Sequence, residues 1–406
     1  MTDYNGVCLQ SKRVNMTQAK FYSILLLFLI LGFFHAQSLK LKIVDSESGN
    51  PIPHARVILS NTVLYSNDDG FILLPENANN LEVSASGYEM EKFVNYSSII
   101  KLKPLYKDID EVKIINIDIK KIFSDVLKNY EKRYYDQHSL YDILYRQKNS
   151  DGDNLSFLLI TNGKLWMESN TYNYKEAFNK KFDNFIQMEI DSVKYFKSTI
   201  SENDFCKGQS LNQSKDFVGN IFFNYELARV NYYFKTKDAK FSGRIVDDSN
   251  DEQTIVYKIS NPEIEVTGTI VYQKTDKTII HYELQYDQSK YPSYKVKSKN
   301  GSEYEFKVGN GVTYYDFYKK DGKYIPSISG TKGFSYCTYD GKKQKNSFSR
   351  EIIFQKFTET EITGLQKKID LTKRIWDNIP KLEKQNNSIL LSEEEQKFID
   401  EKSYQE

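Results

Sequence analysis

The stretch His281-Tyr282-Glu283 holds the pair of side chains best spaced to bind a metal ion. In a β-strand, residues i and i+2 point to the same face, so His281 and Glu283 would lie side by side. An imidazole and a carboxylate placed in this way can ligate a metal. Packing across strands in a tyrosine-rich sheet explains the same pattern, and we expect packing rather than a metal site.

The three cysteines raise the question of a nucleophilic or redox site. Cys8 lies in a segment that we expect to be removed, which leaves Cys206 and Cys337. In an exported protein these two can form a single disulfide, or both can remain as buried thiols. A catalytic cysteine would need a histidine base, and the sequence alone places none beside either thiol.

Sequence signatures of the common enzyme classes are missing. The chain has no Gly-x-Ser-x-Gly, no His-Glu-x-x-His, no phosphate-binding loop and no dinucleotide fingerprint. The turn Asp68-Asp69-Gly70 has oxygen ligands suitable for calcium, but a solvated hairpin needs no ion. We therefore expect a protein that is not an enzyme and that holds no cofactor and no metal.

Residues 21–34, with the sequence FYSILLLFLILGFF, form an uncharged apolar run near the N-terminus. Fourteen residues of helix span about 21 Å, which is short of the roughly 30 Å hydrocarbon core of a bilayer. The pattern predicts a signal peptide over residues 1–36, cut after Ala36, with Met16 as an alternative start. We expect an exported protein of the periplasm or outer membrane, with no transmembrane helix once the signal is removed.

The composition constrains both the partners of the chain and its fold class. The net charge is +1, so the chain as a whole exerts no long-range attraction on nucleic acid or on an anionic membrane. The chain also contains 31 tyrosines and 25 phenylalanines, residues that favour strands over helix interiors. A mainly β fold is expected.

Short alternating runs between residues 37 and 114 predict five to seven strands. LKLKIVD (39–45) has the two-residue period of a half-buried strand, and turn residues follow it in SESGNPIP. ARVIL (55–59) and FILL (71–74) are separated by the turn sequence SNDDG. Strands this short and this closely spaced indicate a small antiparallel β-sandwich.

This run resembles the carboxypeptidase regulatory-like, transthyretin-like domain. The resemblance depends on a first strand ending in Asp, a proline turn, a small residue before the second strand, a Gly-Phe turn and a Gly-Tyr pair. The matching residues are Asp45, Pro51, Pro53, Ala55, Asp69, Gly70, Phe71, Gly87 and Tyr88. It implies an accessory, non-catalytic module of a Gram-negative cell-envelope protein.

Residues 115–365 are predicted to form one helix and a large antiparallel sheet. Apolar residues from Ile119 to Tyr130 recur at steps of three and four, which indicates an amphipathic helix of about 16 to 20 residues. Nine strand-like runs follow, from LYDILYRQ (140–147) to REIIFQKF (350–357). We expect them to form one continuous curved sheet or half-barrel.

Two hairpins resemble those of lipoprotein-carrier-like half-barrels. They are VTGTIVYQKTDKTIIHYELQY (266–286) and FYKKDGKYIPSI (317–328), the second similar to an edge hairpin. The last segment, 366–406, is predicted to be mixed or helical. In it Trp376 would dock onto the sheet, and Ser392 with Glu395 would form a capping box.

Three functions remain open. The first is a non-catalytic envelope protein whose large β domain binds a hydrophobic, lipid-like ligand or a partner protein. The second is a structural or assembly factor at the outer membrane that makes only protein contacts. The third is a hydrolase of unrecognised type. A concave apolar groove would favour the first, a flat polar sheet the second, and a cluster of His, Glu and Asp the third.

Overall fold

The computed structural model describes residues 39–59, 62–75, 78–85, 87–104, 115–200, 214–249, 251–262, 264–297, 301–379 and 390–401. The proposed signal peptide, Cys8 and Cys206 lie outside these ranges. Within them no helix is both long and apolar enough to cross a bilayer.

Seven short strands form the N-terminal sandwich. One sheet has the order β4-β1-β7 and the other the order β3-β2-β5-β6. Twelve buried apolar residues, Leu41 and Val57 among them, fill the space between the two sheets. The strands are β1 (Leu39–Asp45), β2 (Arg56–Leu59), β3 (Thr62–Tyr65), β4 (Phe71–Leu74), β5 (Leu81–Ser84), β6 (Glu91–Phe93) and β7 (Ile99–Leu102).

The sandwich departs from the expected antiparallel pattern at one place. β7 pairs with β1 in parallel, with Ile100 opposite Ile43. The chain reaches β7 from β6, which belongs to the other sheet, so no tight hairpin forces these two neighbours to be antiparallel.

The second part of the chain builds a single open sheet, and the mainly β prediction is confirmed. Its order is β11-β10-β9-β19-β18-β17-β15-β14-β13-β12-β8, and β16 pairs with β17 outside this path. Every pairing is antiparallel. The strands are β8 (Ile115–Asn116), β9 (Ser139–Asp151), β10 (Asn154–Met167), β11 (Ile186–Ser198), β12 (Lys240–Ser249), β13 (Glu252–Ser260), β14 (Glu265–Gln273), β15 (Thr278–Asp287), β16 (Tyr294–Lys297), β17 (Glu303–Lys320), β18 (Lys323–Tyr339) and β19 (Lys342–Glu359).

Five of the six described helices cover one face of this sheet, which we call the helix-covered face. The helices are α1 (Ile119–Lys128), α2 (Tyr130–Arg133), α3 (Tyr174–Phe178), α4 (Ser214–Gly219), α5 (Phe223–Tyr233) and α6 (Glu393–Asp400), with 3-10 turns at Phe182–Asn184 and Ile375–Asn378. Two aromatic-rich cores lie under α1, α4 and α5. α6 packs elsewhere, on a smaller cluster with Leu144 and Leu158.

The predicted amphipathic helix is present but shorter than expected. α1 begins after Asp118, whose carboxylate accepts a hydrogen bond from the Lys121 backbone N–H (3.0 Å). It ends at Asn129, whose side chain donates to the Asp125 carbonyl. Asparagine competes for backbone groups in this way, so the apolar stripe is broken into α1 and α2.

Two further expectations about this part were wrong. More than one helix packs on the sheet, because α5 adds Phe223, Leu227 and Val230 to the core. The β17–β18 hairpin is not an edge hairpin, since it lies between β15 and β19. The C-terminal expectations are confirmed: Ser392 and Glu395 form the capping box of α6, and the Trp376 ring lies 4.8 Å from that of Phe157.

Aromatic rings lie across glycines in the centre of the sheet. The Tyr314 ring of β17 covers Gly330 directly opposite on β18, and the atoms nearest to a Cβ added at Gly330 would all belong to the Tyr314 side chain, at 2.2–2.6 Å. The glycine is therefore needed for a close approach of the ring to the sheet backbone.

We predict that Gly330→Ala lowers the free energy of unfolding by about 1–3 kcal/mol, because the methyl group overpacks against Tyr314. Urea denaturation measures it. In a Tyr314→Ala background the same change should cost much less. An equal cost in both backgrounds would show that the ring is not the reason for the glycine.

Candidate functional site

A partly buried ionic cluster joins the sandwich to the face of the large sheet opposite the helix-covered face. We call this the sandwich-covered face. Arg146 of β9, Glu351 of β19, Gly330 of β18 and Tyr314 of β17 are successive register partners, so their side chains share it. We define the ionic cluster as Asp68, Arg146, Lys148, Lys332, Glu351 and Glu395.

The sandwich contributes Asp68 and His54. The Asp68 carboxylate lies 2.5 Å from the Lys148 Nζ. The His54 ring lies between the carboxylates of Asp68 (3.6 Å) and Glu351 (3.5 Å), and its Nε2 is 2.8 Å from the Lys332 Nζ. These contacts connect the turn after β3 and the start of β2 to three strands of the sheet.

The C-terminal helix contributes Glu395. Its Oε2 accepts hydrogen bonds from the Ser392 backbone N–H (2.9 Å) and from Arg146 Nη2 (3.2 Å). The Lys148 Nζ is 3.7 Å from its other carboxylate oxygen. The carboxylate that caps α6 therefore also fixes α6 against β9.

The protonation states of the cluster follow from this arrangement. Burial alone would raise the pKa of Glu351, but the charges of His54, Lys332 and Arg146 lower it to about 2. The pKa of Asp68 is also lowered, because its hydrogen bond to His54 and the Lys148 charge outweigh burial. Three carboxylates thus face three cations; Arg146, Glu351 and Glu395 are buried, and the other three are partly exposed.

Further contacts fix the sandwich beside the cluster. The Arg56 guanidinium donates to the Phe317 carbonyl (3.0 Å), and the Tyr65 hydroxyl lies 2.7 Å from the Ser327 Oγ. The Asp69 carboxylate accepts from the Glu393 backbone N–H (2.7 Å). The turn considered for calcium therefore directs both of its carboxylates to protein groups.

His281 contacts a residue of the neighbouring strand and not Glu283. Its Nδ1 lies 2.5 Å from Asp316 Oδ1 on the neighbouring strand, while Glu283 accepts from Gln285. Burial would lower the pKa of His281, but the Asp316 carboxylate raises it. Within the described ranges no group of three His, Cys, Asp or Glu residues could hold a metal ion.

The sandwich residues selected from the sequence build its turns and its core. Asp45 Oδ1 accepts from the backbone N–H groups of Glu47 (2.9 Å) and Ser48 (2.7 Å). Gly70 has a φ of 76°, and a Cβ there would lie 2.5 Å from the Ile43 carbonyl oxygen.

The remaining selected residues are structural as well. Ala55 is fully buried, Pro51 bridges to Val44, and Tyr88 bridges to Pro104. The Lys40 Nζ lies 3.9 Å above the Phe71 ring. Pro53 and Gly87 are exposed.

Cys337 is fully buried and disulfide-bonded. Cys206 lies outside the described residues, so its pairing with Cys337 stays a prediction.

A groove of about 490 Å³ adjoins the ionic cluster on the sandwich-covered face. Its first row of side chains crosses six strands in register, from Lys148 through Ser349, Lys332, Val312 and Gln285 to Thr267. The other lining residues are Ser150, Leu155, Glu265, Tyr286, Asp287, Asn310, Gly311, Gly333, Phe334, Ser347, Phe348 and Glu394.

The groove is amphipathic rather than uniformly apolar. Leu155, Val312 and Phe334 offer apolar surface, whereas Lys148 and Lys332 place cations near β9 and β18. Two acidic side chains line the opposite side, on β14 and β15, and a third, Glu394 of α6, lies near Lys148. Both lysines belong to the ionic cluster, so the groove and the interdomain contact share residues.

We predict that acid destabilises the protein partly through Glu351. Its pKa is about 2 in the folded chain against an ordinary 4.5, so its contribution is complete above about pH 5 and is lost as the pH falls toward 2. This contribution is up to about 3 kcal/mol. Urea denaturation between pH 6 and pH 3 should show a weaker pH dependence for Glu351→Gln than for the wild type.

The matched control for this test is Glu131→Gln, at an exposed carboxylate outside the cluster. It should keep the wild-type pH dependence. Parallel curves for the wild type and Glu351→Gln would contradict the assignment.

No family model matches the sequence, and no curated protein matches it. Among solved structures, a lipovitellin structure concerned with lipid–protein interactions has 8% identity and a TM-score of 0.23, over 59% of this chain and 28% of that chain. The chain thus spans less than a third of that protein's length.

A second solved structure is of a protein of unknown function from Bacteroides fragilis NCTC 9343, which its description assigns provisionally to a membrane. It has 9% identity and a TM-score of 0.13, over 79% of this chain and 99% of that chain. TM-scores this low establish no common fold, and neither structure bears on what this chain does.

Proposed function

We propose that the protein is an exported, non-catalytic envelope protein whose large β domain binds an amphiphilic ligand in the groove beside the ionic cluster. The observation that carries this proposal is the groove itself. Its volume of about 490 Å³ falls within the roughly 300–1,000 Å³ range of small-molecule sites. Export is supported by the apolar run at 21–34 and by the resemblance of the sandwich to an envelope accessory module.

The lining residues define the kind of ligand. Val312 lies across the sheet between Lys332 and the strands that carry Glu265 and Asp287, and Phe334 adds apolar surface beside Lys332. A molecule with an apolar body and a polar or charged end matches this pattern better than a bare hydrocarbon chain, because buried polar groups need partners.

Among the groove's charges, Lys332 is well placed to meet a ligand. Its side chain is 40% exposed, while that of Lys148 is 15% exposed and is held against Asp68. Glu265 is already paired with Lys258 at 2.7 Å. An anionic end group would therefore lie toward Lys332, whose own ion pair, with Glu351, is longer at 3.6 Å.

The contacts of the titratable groups support the proposal that the protein is not an enzyme. The Asp316–His281 pair has the geometry of an orienting carboxylate and imidazole, but His281 Nε2 is buried and has no hydrogen-bond partner among the described residues. A nucleophilic hydroxyl would have to lie at that atom. The carboxylates of the ionic cluster are paired with cations, which suits attachment rather than proton transfer.

Native mass spectrometry of the exported protein tests the proposal. Under gentle conditions we expect a co-released small molecule, and Val312→Arg should remove it by filling the centre of the groove with a long charged side chain. The matched control is Val94→Arg, at a 68% exposed valine on the sandwich, and it should retain the adduct.

A bare mass in the wild type under gentle conditions would contradict the ligand proposal. It would favour instead a protein that makes only protein contacts. An adduct that survives Val312→Arg would place the ligand elsewhere on the chain.

A further inference from the structure

The connection between β10 and β11 carries two strongly exposed aromatic side chains. Phe178 is 83% exposed and Tyr174 is 53% exposed. Both lie on α3, four residues apart, so they share one side of that helical turn. Neither contributes to the ionic cluster or to the groove.

Contacts on the buried side of α3 keep these two aromatic side chains exposed. Ala177 is the buried residue of α3. Asn173 caps the helix, because its side chain accepts a hydrogen bond from the Glu176 backbone N–H (3.1 Å). The Tyr174 ring leans on Tyr172, with 5.0 Å between centroids. These contacts anchor α3 on the sheet, and they leave the Phe178 side chain exposed to solvent.

Three exposed lysines surround these aromatics in the same connection. Lys175, Lys180 and Lys181 have no acidic side chain within ion-pair distance among the described residues. The connection also contains three acids: Glu168 is exposed, Glu176 accepts a hydrogen bond from Asn184, and Asp183 is 2.9 Å from Lys368. With Lys368 counted, four cations face three acids, so the local charge is positive by one, and the three lysines of the connection carry it.

We infer that this connection, formed by Tyr174, Lys175, Phe178, Lys180 and Lys181, contacts an anionic membrane surface. Aromatic rings are enriched at the headgroup level of bilayers, and lysines near an anionic surface gain energy within about one Debye length. Protein interfaces are instead depleted in lysine, so the same combination fits a lipid surface better than a protein partner. A patch this small gives weak, reversible attachment.

Vesicle co-sedimentation of the exported protein tests the inference. Vesicles with equal parts of phosphatidylglycerol and phosphatidylcholine should bind the protein, pure phosphatidylcholine vesicles should bind it far less, and added salt should weaken the binding. Reversing two charges with Lys180→Glu and Lys181→Glu should lower the affinity at least about tenfold. Phe178→Ser should also lower it, because the ring no longer enters the headgroup region.

Matched controls separate this site from general effects. Lys101→Glu with Lys103→Glu makes the same change in charge at exposed positions of the sandwich, and Val94→Ser removes another exposed apolar side chain. Both controls should bind like the wild type. Circular dichroism should show the same folded signal for all variants.

Three outcomes would overturn the inference. These are no binding to anionic vesicles, equal binding to both vesicle types, and equal losses in the controls and the patch variants. Self-association that Phe178→Ser abolishes, without vesicle binding, would assign the patch to a second copy of the chain. A missing small-molecule adduct in the groove would leave this inference unaffected.

Discussion

The structure depends on a small group of charges, half of them buried, where three parts of the chain meet. Asp68 comes from the sandwich, Arg146 and Glu351 come from the sheet, and Glu395 comes from the C-terminal helix. Charges removed from water are costly unless each is paired and hydrogen-bonded, and removing one partner of such a pair costs about 3–5 kcal/mol. The main effect of the cluster is therefore to fix how the three parts are arranged relative to one another. Its contribution to the free energy of unfolding is secondary.

The groove is a consequence of that arrangement. Lys148 and Lys332 are held at its border by Asp68, His54 and Glu351, so the position of the sandwich sets the position of the groove's cations. Glu394, next to the capping Glu395, lines the same groove. A ligand in the groove would meet groups contributed by the sheet and α6 and held in place by the sandwich.

Local signals in the sequence were sufficient for much of the fold. Period-two alternation located most strands, and the Ser392 to Glu395 spacing located the start of α6, because both depend only on near neighbours in the chain. The ionic cluster could not be predicted in this way. Asp68 pairs with Lys148, 80 residues later, and Arg146 pairs with Glu395, 249 residues later. α5 was missed because its aromatic composition also suits a strand. The central position of β17 and β18 was missed because strand order is set by long-range pairing.

The central claim is that the ionic cluster makes the sandwich, the sheet and α6 one cooperative unit. Hydrogen exchange followed by mass spectrometry tests it most directly, by comparing the opening free energies of β1 and β2 with those of β9 and β19. We predict equal values in the wild type and selectively faster exchange in the sandwich and α6 after Asp68→Asn, with Glu82→Gln inside the sandwich as the unaffected control. A wild-type sandwich that exchanges far faster than the sheet, or an Asp68→Asn variant that exchanges like the wild type, would contradict the claim.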